Sequence, residues 1–181
     1  MKIKHGLPLL LALVLLLSAC GEKQLAQEPD GLQLWFPSDE SLSGYGHGPA
    51  LDCEPYEKEG TPQPEELLSV LLAGPTQEGL RSPFPQGVTL RQCGWDEERP
   101  GVLMVNLSEQ YGALADVSLT LADYCIVLTL SQLDEVETVE ITAEGRHASY
   151  RSHQLLNAQE AVLWDELAET QKTLDNSADS R

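Results

Sequence analysis

The chain has 181 residues, with 11 Lys and Arg against 29 Asp and Glu and a formal net charge of −18 at pH 7. That length corresponds to one domain with short extensions, enough residues for a genuine core. So acidic a field repels phosphate backbones and anionic headgroups, which argues against nucleic acid as a partner and against direct headgroup binding, and suits an exported protein kept soluble beside an anionic surface.

The N-terminus reads as a lipoprotein leader. Lys2 and Lys4 precede an apolar run over 7–17, and Leu17-Ser18-Ala19-Cys20 ends it in the pattern that bacterial lipoprotein processing requires. Residues 1–19 are therefore expected to be a signal peptide, and Cys20 to become the new N-terminus, lipidated on thiol and amine with acyl chains such as palmitate. Each buried methylene adds roughly 0.8 kcal/mol of membrane affinity, so two or three chains hold a protein durably. The run is short for a bilayer crossing, which needs about 20 apolar residues. The expected location is the extracytoplasmic face of the cell membrane, with residues 20–31 as a flexible polar tether.

Order is expected from Leu32. Residues 32–36 alternate and are rich in large apolar side chains, as a half-buried strand would be, and Pro37 should stop the ladder. Residues 38–62 crowd Gly, Pro, Asp and Glu and read as connection, with a short extended piece near Ala50 and Cys53. Pro64, Glu65 and Glu66 open a helix whose stripe is Leu67, Leu68, Leu71 and Leu72; Gly74, in a left-handed cap, and Pro75 end it. Strands over 88–93 and 102–107 should form a hairpin through the acidic turn 96–101. Ser108 is an N-cap candidate. A second helix is expected over 116–130, with Leu121, Tyr124, Cys125, Leu128 and Val117 inward. Val136, Val139 and Ile141 mark a last strand, closed by Glu144 and Gly145. The order strand, helix, strand, strand, helix, strand predicts an α+β domain, with two helices packed on one face of a small mixed sheet. Beyond Arg146, residues 158–167 suggest a short amphipathic helix with Ala161, Val162, Leu163 and Trp164 apolar, and 171–181 a disordered tail.

Several segments in this order resemble one family. They are Leu71-Leu72-Ala73-Gly74-Pro75-Thr76 leading to Gly79-Leu80-Arg81-Ser82-Pro83-Phe84-Pro85 and Gly87, then Val105-Asn106-Leu107-Ser108-Glu109, then Leu128-Thr129-Leu130, and Val136-Glu137-Thr138-Val139-Glu140-Ile141 with Gly145. Together they resemble the GerMN domain, found in exported bacterial lipoproteins, here as one copy over 32–146 followed by a C-terminal extension over 147–181. The resemblance implies a small β-α-β-β-α-β domain similar to ring-building motifs, used without catalysis for protein contacts or assembly at the cell envelope, with sporulation as one setting. Its partners would be an envelope protein or a second copy.

The residues agree with a non-enzymatic reading. No Gly-x-Ser-x-Gly elbow or His-Glu-x-x-His motif occurs, and no cofactor or metal signature is present. Thr129 and Ser108 read as groups that satisfy backbone, His147 and His153 as surface histidines, and Asp96, Glu97 and Glu98 as a solvated turn. Gly44 to Gly48 superficially resembles a phosphate loop but neither follows a strand nor opens a helix. Cys125 reads as a buried thiol, which leaves Cys53 and Cys93 as a candidate disulfide. A second function reading is an extracytoplasmic ligand-binding or sensor-associated lipoprotein, resting on Tyr45, His47 and Tyr56.

Overall fold

The structure, a computed structural model, describes residues 31–39, 50–58, 60–149, 151 and 153–161. The leader, Cys20, the tether before Gly31, the 44–48 loop with Tyr45 and His47, the apolar residues Val162, Leu163 and Trp164, and the tail all lie outside the described residues.

Two sheets share one core. Strand β1 (Gln33–Pro37) pairs antiparallel with β2 (Leu51–Pro55) as a ribbon in which Trp35 faces Cys53. Strands β3 (Leu90–Trp95), β4 (Val102–Leu107), β5 (Thr138–Ala143) and β6 (Leu155–Leu156) form a second sheet in that order, parallel between β4 and β5 and antiparallel elsewhere. Helix α1 (Pro64–Ala73) packs on β3, and helix α2 (Asp116–Leu130) carries the chain from β4 to β5 after a 3-10 turn (Glu109–Ala113). The architecture is the expected one, two helices on one face of a mixed sheet. It differs in membership: the first strand pairs with β2 in its own ribbon against α2, and the fourth place in the main sheet goes to β6.

Alternation explains the layering. Leu103, Val105, Leu107, Val139 and Ile141 are buried toward the helices, whereas Met104, Asn106, Glu140 and Thr142 take the opposite face and keep partial exposure. On α1, Pro64 at the first turn, Glu65 and Glu66 near the positive dipole end, and buried Leu67, Leu68 and Leu71 follow the expected pattern. Gly74 adopts φ 92° with ψ 169°, positive in φ but extended in ψ, so the helix ends without the left-handed cap that was expected.

The β3–β4 turn is held by Asp96, whose Oδ1 accepts from the N–H groups of Glu98 at 2.8 Å and Arg99 at 3.0 Å. Gly101, at φ 79°, accepts from the N–H groups of Glu137 and Thr138, and a Cβ there would come within 2.8 Å of the Glu137 side chain. Helix α2 has the expected bounds but another inner face. Leu119, Ala122, Asp123, Cys125, Ile126, Val127, Thr129 and Leu130 are buried, Leu121, Tyr124 and Leu128 are half-buried, and Val117 is 69% exposed. The helix meets the β1–β2 ribbon, α1 and β5 on different sides, so no single stripe describes it, and two polar residues turn inward because each finds a partner there.

A candidate interaction surface at the sheet edge

Backbone groups on every strand must be paired, covered or left to solvent. On β1 the outward groups are covered. The Gln33 N–H donates to Gln132 Oε1 at 2.8 Å, its carbonyl accepts from Gln132 Nε2 at 2.7 Å, the Trp35 N–H donates to Thr129 Oγ1 at 3.1 Å, and the Pro37 carbonyl accepts from the Arg81 N–H. Thr129 on α2, Gln132 in the turn after it and the Arg81 backbone thus stand in for a neighbouring strand. On β2 the outward Cys53 N–H donates to its neighbour Asp52 at 2.8 Å and Pro55 has no N–H. On β5 the outer edge is closed by β6 at Val139 and Glu140, by Arg151 Nη1 donating to the Ile141 carbonyl, and by the bridge between Ala143 and Arg146.

Strand β3 is different. The Asp96 N–H donates to the Val102 carbonyl, so alternation along the ladder turns the backbone groups of Cys93 and Trp95 away from β4. No strand among the described residues lies beyond β3, and Trp95 stands at its end with 40% of its surface exposed.

Two buried carboxylates are engaged by the protein's own donors. Asp123 on α2 accepts from the Tyr111 hydroxyl at 2.7 Å and from Arg151 Nη2 at 2.7 Å through Oδ1, and from Arg151 Nε at 2.7 Å through Oδ2. The Arg151 and Asp123 side chains are only 4% and 5% exposed. Burial and the neighbouring carboxylate push the Tyr111 phenol well above its ordinary pKa, while Asp123 outweighs the burial that disfavours a charged Arg151. Both Asp123 oxygens are thus engaged by the protein's own donors. Glu54 is likewise buried, accepting from Thr76 N–H at 2.9 Å, Thr76 Oγ1 at 3.1 Å and Gln77 N–H at 2.9 Å.

The residues singled out in the sequence scatter. Ser108 Oγ accepts from the Thr89 N–H at 3.0 Å and makes no cap bond, and Thr129 serves Trp35, so both satisfy backbone groups. His147 lies 3.2 Å from Glu140 and borders a cavity of about 570 Å³. His153 borders another of about 270 Å³ beside Asp123, so the two histidines do not share a site. Asp96 and Glu140 both bind Arg99. Among the described residues no cluster of His, Cys, Asp or Glu could hold a metal ion. Cys53, Cys93 and Cys125 carry free thiols, with Cys53 on β2 and Cys93 on β3 in separate sheets. Burial raises all three, Cys93 to about 12, the opposite of what a nucleophilic thiol needs. Tyr56 borders a cavity of about 320 Å³ with Lys58 and Gln132. Sequence reasoning missed Tyr111, Asp123, Arg151 and Glu54; the available signal was one acid inside the apolar run of α2.

Residues 34–149 match the family model described as Germane: Sporulation and spore germination. The chain belongs to the GerMN family. The first GerMN domain of the sporulation protein GerM from Bacillus subtilis superposes with a TM-score of 0.52 at 13% identity, covering 71% of this chain and 99% of that one. The tandem GerMN domains of the same protein give 0.52 at 14% identity over 71% of this chain and 46% of that one, so this chain spans about half the length of the tandem structure. At such identities the likeness is one of fold. No curated protein matches the sequence. Within this GerMN domain, Asp123 lies inside the matched residues and its counter-ion Arg151 just beyond them.

Proposed function

We propose that this GerMN protein is a non-enzymatic lipoprotein, anchored through Cys20 at the extracytoplasmic face of the cell membrane, whose folded domain makes protein contacts in the envelope. The observation that carries the contact reading is the β3 edge, beyond which no strand lies among the described residues, ending in exposed Trp95, on a domain whose two buried carboxylates are engaged by its own donors. The anchor rests on the sequence pattern ending at Cys20. A photo-crosslinking residue at Trp95, activated in native membranes, should capture one defined protein, and the same residue at Val117 should not; indiscriminate capture at both would remove the reading. Cys20→Ser should abolish acyl labelling and release the protein from the membrane fraction, and retention there would refute the anchor. Sporulation appears in the family description and in the names of both structural neighbours. Spore counts unchanged by deleting the gene would detach this chain from that setting. The ligand-binding alternative keeps one observation, the cavity beside Tyr56. A thermal shift with wall fragments that Tyr56→Ala removes would favour it.

A further inference from the structure

We propose that the cavity of about 570 Å³ at the carboxyl ends of β4 and β5 binds a small zwitterion, a free amino acid or a short peptide with unblocked ends. Arg146 holds its carboxylate and Glu109 its ammonium. The site is separate from the β3 edge and does not depend on the contact reading. Strands β4 and β5 pair in parallel, and their last residues, Leu107 and Ala143, lie side by side. Beyond them the chain diverges: after β4 it passes through the 3-10 turn into α2, and after β5 it turns at Gly145, with φ 72°, back toward β6. The crevice left outside the carboxyl ends of parallel strands, where their connections part, is the usual ligand position in open α/β sheets. Here the 3-10 turn and residues 143–149 wall it, and the two walls touch at the base, where a Cβ on Gly112 would stand 3.4 Å from Ala143 Cβ. Tyr111 and Arg151 also line it, and both are fixed by their bonds to Asp123.

Charge selects the ligand. Lys58, Arg81, Arg91, Arg99 and Arg151 are each in an ion pair, whereas Arg146 on the cavity wall is the one Lys or Arg among the described residues without a partner. Glu109 on the other wall is unpartnered too, and the two do not pair with each other. The second carboxylate of the lining, Glu144, is taken by Arg91, and His147 lies against Glu140. A simple anion would meet Glu109 and the field of a chain of net charge −18, and a simple cation would meet Arg146. A ligand with both charges and no net charge satisfies both groups, its carboxylate matching the planar fork of a guanidinium. Ala113, Leu114 and Ala148 offer apolar surface to its body. The volume falls within the roughly 300–1,000 Å³ of small-molecule sites.

The test is isothermal titration calorimetry of the full-length chain in detergent with alanine, alanyl-alanine and trialanine, and with the N-acetyl and C-amide form of each. At least one free zwitterion should bind saturably, and blocking either its amine or its carboxylate should weaken it about tenfold. Arg146→Gln should weaken that zwitterion by the same factor yet leave its C-amide form unchanged. Glu109→Gln should weaken it likewise and leave the N-acetyl form unchanged. Both side chains are exposed, so the variants should fold, and unchanged circular dichroism melts would verify it. No saturable binding of any zwitterion, or equal binding of free and blocked forms, overturns the proposal. Binding indifferent to both substitutions overturns it as well, and binding lost only in Tyr56→Ala does so by putting the ligand in the other cavity.

Discussion

At the residue scale, two buried carboxylates do the most to define the interior. Removing one partner of a buried ion pair leaves an unmatched charge and costs about 3–5 kcal/mol, so Arg151→Ala should lower unfolding free energy by about that much in urea titration. Tyr111→Phe, which deletes one of three bonds to Asp123, should cost about 1 kcal/mol. Replacing Asp123 and Arg151 together by Leu and Met should recover most of the single-variant loss, and failure to do so would mean that the pair holds the segment by geometry rather than charge. Glu54→Ala orphans the N–H groups of Thr76 and Gln77 and should cost about 2 kcal/mol. Neither acid was legible in the sequence as a structural group. An Asp in an apolar helix signals only that a partner must exist; Arg151 follows in a polar stretch without periodicity, and nothing local links them.

At the element scale, the sequence was most readable where local chemistry decides. The bounds of β4 and α2 came out as expected, although no side chain caps the start of α2, and the Asp96 turn sits between two apolar stretches. The inner face of α2 was misread because its apolar residues surround the helix and only tertiary contacts choose among them. The two-residue β6 has no pattern to read, and its place follows from Arg151 drawing the chain back onto β5. Gly101→Ala should destabilise the hairpin by about 1 kcal/mol, mostly through the positive φ, since the Glu137 side chain it would meet can move. The Asp96 pKa is depressed, first by the Glu98 N–H and then by Arg99. Its stabilisation is therefore complete above the unfolded value of about 3.9 and disappears as pH falls through the lower folded value. Exchange at the Glu98 and Arg99 amides should accelerate in that acid range, and Asp96→Ala should remove the dependence.

At the scale of the whole molecule, the domain is longer than its family match. A chain ended at residue 149 keeps every matched residue but loses Arg151 and β6, leaving Asp123 uncompensated and the β5 edge open. It should be several kcal/mol less stable than a chain ended at 161, or aggregate, as circular dichroism and light scattering would show. Equal stability of the two would mean that the segment after β5 is dispensable.

The pairing of Asp123 with a residue 28 positions later sets an order of events. A ribosome that has delivered α2 and β5 has not yet supplied the cation that their interior requires. Until Arg151 emerges, burying Asp123 would leave its carboxylate without a counter-ion. A chain that still lacks that arginine should therefore stay open on its C-terminal side, and closure should wait for the last part of the domain to arrive.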